Sequence, residues 1–301
     1  MAQRGRFAFL ACAIATLIGH QPAAAQRIDS FSLTGQWALD FAEERCTLQG
    51  TFSDGSKQVR LVIQSYGDTD EYRATIIGDP LPRSSKTFDQ IRYILPADTK
   101  ERAMTRSFTG QVDGKRALSF PLRLGPELPK DMDPPDYSPV ERETYMQSWR
   151  AGLPAYQQDL REITLVLDSW RHIRLNTGPI LPVMNAMRLC ARDLQQHWGL
   201  DPAVEENLSR RAAPDERTRD RILASYPYAS LDAGINAYIS VRFMVGADGL
   251  STACVVQVQG VRKEFGSAIC GSGPSRFRPA LDENGQPVAS VFRSDVTFQI
   301  Q

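Results

Sequence analysis

Histidine is scarce, with three in 301 residues: His20, His172 and His197. A thiol or hydroxyl nucleophile needs a base beside it, usually histidine. Zinc sites draw on His and Cys grouped at short spacings. These histidines have no such spacing and the cysteines lie far apart, so no metal and no cofactor is expected. No serine sits in a G-x-S-x-G elbow, and no P-loop or dinucleotide fingerprint occurs. Net charge is also missing, since 35 Lys and Arg balance 35 Asp and Glu. Binders of nucleic acid or anionic membranes usually carry a basic excess, and none exists here. Nor is there an internal repeat. Together these absences argue against an enzyme.

The N-terminus is more informative. Arg4 and Arg6 precede the apolar run Phe7 to Gly19, and Ala23-Ala24-Ala25 follows. A charged start, a short apolar centre and a small-residue exit make a secretory signal peptide. The run falls short of the roughly 20 residues that span a bilayer. Residues 1–25 are therefore expected to be removed, giving a periplasmic protein that meets the membrane only if the N-terminus stays uncleaved. Cleavage also removes Cys12 and leaves Cys46, Cys190, Cys254 and Cys270. An even set in an oxidising compartment implies two disulfides. Three pairings are possible; Cys254–Cys270 with Cys46–Cys190 is favoured if the two halves are separate domains.

Residues 26–208 form the first expected domain. Trp37, Leu39 and Phe41 alternate, as do Val59, Leu61 and Ile63, and both stretches predict strands. Asp113-Gly114 between alternating segments predicts a hairpin. Residues 124–140 are proline-rich and predict a loop. Ser138 caps a short helix to Trp149 with Pro139 at its first position. The segments 163–167 and 172–175 return to strand, with His172 alternating outward. Val183, Met187, Cys190, Leu194 and Trp198 form one apolar stripe of a helix over about 179–198. Asp201-Pro202 starts another helix, ending near Arg211. Residues 209–221 are charged without apolar periodicity and read as a linker. Asp68-Thr69-Asp70-Glu71 and Asp131-Met132-Asp133 sit in turn-like contexts and read as solvated loop charge.

Residues 222–301 form the second expected domain. Ile239, Val241, Phe243 and Val245 alternate, G-A-D-G turns the chain, and C-V-V-Q-V makes a second strand. K-E-F-G-S-A-I-C is a short helix, and residues 291–300 make a last strand. The fold class is α+β: a β-rich N-terminal domain closed by a helix, then a ββαβ unit. Within it, Cys270-Gly271-Ser272-Gly273-Pro274 could suggest a reactive thiol. The nearby Cys254 and the lack of a base favour a disulfide and a helix-ending turn.

Tyr226-Pro227, Ala233-Gly234, Y-I-S-V-R-F-M-V, G-A-D-G and R-F-R-P-A-L-D-E-N-G-Q-P-V resemble the C-terminal domain of the TonB energy-transducer family. The resemblance covers about the last quarter of the chain. W-A-L-D-F-A-E-E-R-C-T-L, and R-L-N-T-G leading to M-R-L-C-A-R-D-L-Q-Q-H-W-G-L-D, are similar to an uncharacterised region that accompanies this domain in some exported bacterial proteins. The family resemblance implies a last strand that pairs with a short peptide of an outer-membrane transporter or another envelope protein. Carried onto this chain, that edge includes Val291, Arg293, Asp295 and Thr297. The function implied is a non-enzymatic adaptor. The alternative within the family is a membrane-anchored energy transducer. A globular domain in place of the family's long spacer, and G-S-G-P interrupting the helix, depart from the family pattern.

Overall fold

Period-two alternation makes most of the described residues between 27 and 122 into strands. The computed structural model describes residues 27–67, 70–81, 91–104, 106–129, 138–167, 171–224, 226–235, 237–258, 262–271 and 275–298. The expected signal segment, Asp68-Thr69, Asp131-Met132-Asp133, Ser272-Gly273-Pro274 and the end of the last expected strand lie outside these residues.

The first part runs through β1 (Arg27–Leu33), β2 (Ala38–Ala42), β3 (Arg45–Ser53), β4 (Gln58–Ser65), β5 (Tyr72–Gly78), β6 (Arg92–Ile94), β7 (Arg102–Ala103), β8 (Phe108–Val112) and β9 (Lys115–Leu122). Helix α1 (Pro139–Gln158), β10 (Glu162–Val166), β11 (Arg171–Asn176) and α2 (Leu181–His197) complete it. The strands form one curled sheet in the order β7-β6-β10-β11-β1-β3-β4-β5-β9-β8, with β2 also paired to β3. All neighbours are antiparallel except β1 and β11. Strand β4 shows the pattern that builds the core: Val59, Leu61 and Ile63 are buried while the residues between them are only partly covered. Asp113 and Gly114 both adopt positive φ, 52° and 73°. That geometry matches the two-residue turn whose twist suits a hairpin, and it joins β8 to β9.

Helix α2 lays Met184, Met187, Cys190, Ala191 and Leu194 on the sheet, and Cys190 is bonded to Cys46 of β3. In the chain-entropy account, a bond closing a loop this long removes about 5 kcal/mol of freedom from the unfolded chain. Helix α1 has a full capping box between Ser138 and Glu141. It runs nine residues past the expected end at Trp149, with Pro154 inside it. Trp149, Leu153 and Gln157, one buried stripe, hold that second half in place. His172, expected to face outward, is buried. Its neighbour Ile173 is buried too, and adjacent strand residues face opposite sides. Both faces of β11 are therefore covered here.

The second part contains α3 (Pro202–Glu206), β12 (Ala213–Pro214), α4 (Glu216–Ala224), α5 (Tyr228–Asp232), β13 (Ala237–Val245) and β14 (Ser251–Val256). After these come α6 (Lys263–Cys270), β15 (Phe277–Arg278), β16 (Ala280–Leu281), β17 (Pro287–Val288) and β18 (Ser290–Phe298). Strands β14-β13-β18 make an antiparallel sheet, and β12-β15 and β16-β17 are small pairs. Ile239, Val241, Phe243, Val245, Val296 and Phe298 share a second core with Phe265 and Ile269 of α6. Cys254 is bonded to Cys270, tying β14 to α6. The architecture is mixed α+β with one large sheet and few helices.

Residues 209–221, expected as a linker, are built into this second core. Leu208, Ala212 and Ile222 are buried in it. Ser209 and Arg210 bond backbone-to-backbone with Leu281. Charged residues dominate the segment because only its sparse apolar positions face inward. Helix α3 ends at Glu206, short of Arg211, since the chain turns there to join Leu281.

Candidate functional site

Register fixes the two faces of the small sheet. Thr297, Asp295, Arg293 and Val291 of β18 stand opposite Tyr238, Ser240, Arg242 and Met244 of β13. Ile239, Val241 and Phe243 point the other way, into the second core. The four edge residues singled out in the sequence therefore share a face with Tyr238 and Arg242, and that face meets the first part of the chain.

The contact is polar and specific. Both oxygens of Glu44 accept from Arg242, at 2.7 Å each. The Arg242 guanidinium lies 4.7 Å from the centre of the Trp198 ring. Gly67, at φ +101°, lies so close beneath Trp198 that a Cβ would meet the ring at 2.7 Å. Gln257 donates to the carbonyls of Glu44 and Tyr66, at 3.2 and 3.3 Å, and accepts from Arg293 at 3.4 Å. Arg73 lies between the rings of Phe108 and Tyr238, 4.2 and 4.3 Å from their centres. Burial lowers its pKa to about 10, against the pull of Tyr238 and Asp295. Tyr66 is pushed up to about 12 by burial and then by Asp295. Tyr238 is raised by the same two causes. Two polar atoms on this face, Asp295 Oδ1 and Thr297 Oγ1, are buried without a hydrogen bond.

The backbone edge of β18 behaves differently from its side chains. All nine residues pair with β13, and among the described residues no strand lies on the other side. Glu205 of α3 faces the Ser290 hydroxyl and the Val291 amide, although neither of its oxygens closes a hydrogen bond of normal geometry. The Val291 N–H thus points away from β13. By the pleat alternation of a strand, so do those of Arg293, Asp295 and Thr297.

A cleft of about 1290 Å³ opens between α1, α2, α3 and the second part of the chain. Asp70 and Glu71, read from sequence as solvated charge, lie in its wall. Arg150 binds both Asp70 and Glu143, at 3.2 and 2.8 Å, and Arg211 reaches Glu143 at 3.1 Å. Burial pushes the Asp70 carboxyl up, but Arg150, Arg211 and Arg123 outweigh it and hold it below the usual range. Glu205 goes the other way: burial raises it, and Ser290, Arg211 and the Val291 amide only partly offset that.

All four described cysteines are in disulfides, so Cys270 has no thiol to react. Among the described residues no group of three or more His, Cys, Asp or Glu could hold a metal ion. Asp70 and Glu71 were singled out in the sequence only as solvated charge, and the other charged cleft residues were not read there as a site. Their one signal was a second stripe on α2, Arg188, Arg192 and Gln195, one residue on from the apolar stripe. The fold and site define an α+β protein with two cores, two disulfides, an open strand edge and a polar cleft. No protein family, curated protein or solved structure matches the chain. Paired cysteines fit an oxidising, secreted or periplasmic setting, and no helix among the described residues is long and apolar enough to cross a membrane.

Proposed function

We propose that the protein is a non-enzymatic periplasmic adaptor that engages an envelope protein by adding one of its strands to β18. One observation carries this: β18 is paired on one side over nine residues, and among the described residues no strand pairs its other side. An open edge is a row of unsatisfied backbone donors and acceptors, which an extended peptide can complete. The resemblance to the TonB C-terminal domain supports the same edge, and an outer-membrane transporter's N-terminal segment is the partner it implies. Because the Arg293 side chain is bonded to Gln257 and Asp295 lies on the inner face near Tyr66 and Arg73, affinity comes from the backbone, not from these side chains.

The test is binding of transporter N-terminal peptides to the full chain. Arg293→Pro removes an outward N–H without touching the β13 ladder, and Arg293→Ala keeps that donor. The proline variant is expected to bind about tenfold more weakly than the alanine variant, near the upper worth of one net hydrogen bond. Equal binding by the two variants, or no peptide binding by the native chain, rejects the proposal.

A further inference from the structure

The cleft has a charge pattern that strand addition does not use. Among the described residues its walls hold seven arginines, no lysine and five carboxylates. Most of these arginines are already neutralised: Arg123 by Glu71, Arg150 by Asp70 and Glu143, Arg211 by Glu143, and Arg192 by Glu206 across a more exposed pair. Arg188 is not. It is half-buried and makes no ion pair with any described carboxylate.

Neutral groups hold it instead. It donates to Gln157 Oε1 at 3.0 Å and to Asn185 Oδ1 at 2.5 Å. Gln157 is itself fully buried and is fixed by donating to the Leu124 carbonyl at 2.7 Å. The guanidinium is thus aimed by a buried chain of hydrogen bonds, with two of its five donors used. A cation withdrawn from water without a counter-charge costs free energy, and burial with no carboxylate to oppose it lowers the Arg188 pKa.

Two acceptors line the same cleft without partners. Gln195 Oε1, two turns along α2 from Arg188, is buried and unbonded. Glu205 is 2% exposed, with both oxygens short of a hydrogen bond. A free cation and free acceptors in one cleft complement a molecule that carries the opposite set. A phosphate would satisfy Arg188 but brings no N–H donors for Gln195 and Glu205. The volume exceeds the roughly 300–1,000 Å³ of common small-ligand pockets, which suits a short peptide better than one amino acid.

We propose that this cleft binds a short acidic peptide-like ligand, its carboxylate on Arg188 and its N–H donors on Gln195 and Glu205. The site abuts the start of β18, where Phe292 lines it and Glu205 faces Ser290 and Val291, but its cation, Arg188, lies on α2 and takes no part in strand addition. Calorimetric titration of the full oxidised chain with the dipeptide Glu-Glu tests it, with Gln-Gln as the uncharged comparison. Glu-Glu is expected to bind saturably and at least about tenfold tighter than Gln-Gln, the scale of one charge-assisted contact. Arg188→Gln should lose about that factor, while Arg60→Gln, far off on β4, should lose none. If Arg188→Gln does not fold, Gln195→Met, which removes a proposed acceptor, is measured instead and should weaken binding about threefold. Absence of saturable binding, equal affinity for the two dipeptides, or native affinity in the cleft variant that folds overturns the proposal.

Discussion

Glu205 carries a cost that the rest of its surroundings do not relieve. An acid whose folded pKa lies above its unfolded value near 4.5 contributes most below that value. As pH rises through the folded pKa, the contribution is lost, because the folded state must then hold a buried carboxylate. Glu205→Gln keeps the shape and removes the charge. Its melting temperature should match the native protein's near about pH 4 and exceed it by about 2–4 °C near about pH 7. A constant difference across that range would show that the carboxyl does not titrate between folded and unfolded states. A residue that lowers stability at neutral pH is easier to understand if a ligand donor meets it, as the cleft proposal requires. Arg188 is its counterpart of opposite sign.

Among elements, the ones legible in sequence are those whose pattern is local. Helix α2 follows from its apolar stripe, and the β8–β9 hairpin from Asp113-Gly114. Gly114 has open space where a Cβ would go, so Gly114→Ala tests backbone conformation alone. At φ +73° the substitution should cost about 1 kcal/mol, read from the urea midpoint; a neutral result would mean that the turn relaxes to another type. The elements that sequence missed depend on distant partners. The second half of α1 exists because Trp149 and Leu153 pack near Gly125, where any Cβ would strike them. Residues 209–221 looked unstructured because their partners, Leu281 and Arg276, lie over sixty positions away. The alternation of β18 was visible, but not that the polar face it shares with β13 would meet Glu44 in the β2–β3 turn, Tyr66 just after β4 and Arg73 on β5. The arginine wall of the cleft was hidden for the same reason: a polar stripe on a helix looks solvated until another helix is placed beside it.

For the whole molecule, the bond between Cys46 and Cys190 has a mechanical meaning. The two residues are 144 positions apart, so a pull on the chain ends passes through the sulfurs and bypasses everything between them. At roughly 3.5 Å per extended residue, about 500 Å of chain is withheld from stretching. Single-molecule extension with and without reductant should differ by that length plus the roughly 56 Å held by the shorter Cys254–Cys270 loop; a difference of only the shorter length would mean that the Cys46–Cys190 bond is absent under load. Helix α1 and Arg188 fall inside the shielded loop, whereas Gln195 and Glu205 fall outside it. Tension along the oxidised chain would therefore draw the cleft's acceptors away from its cation, so the same pull that left the α1 wall intact would release whatever the cleft held.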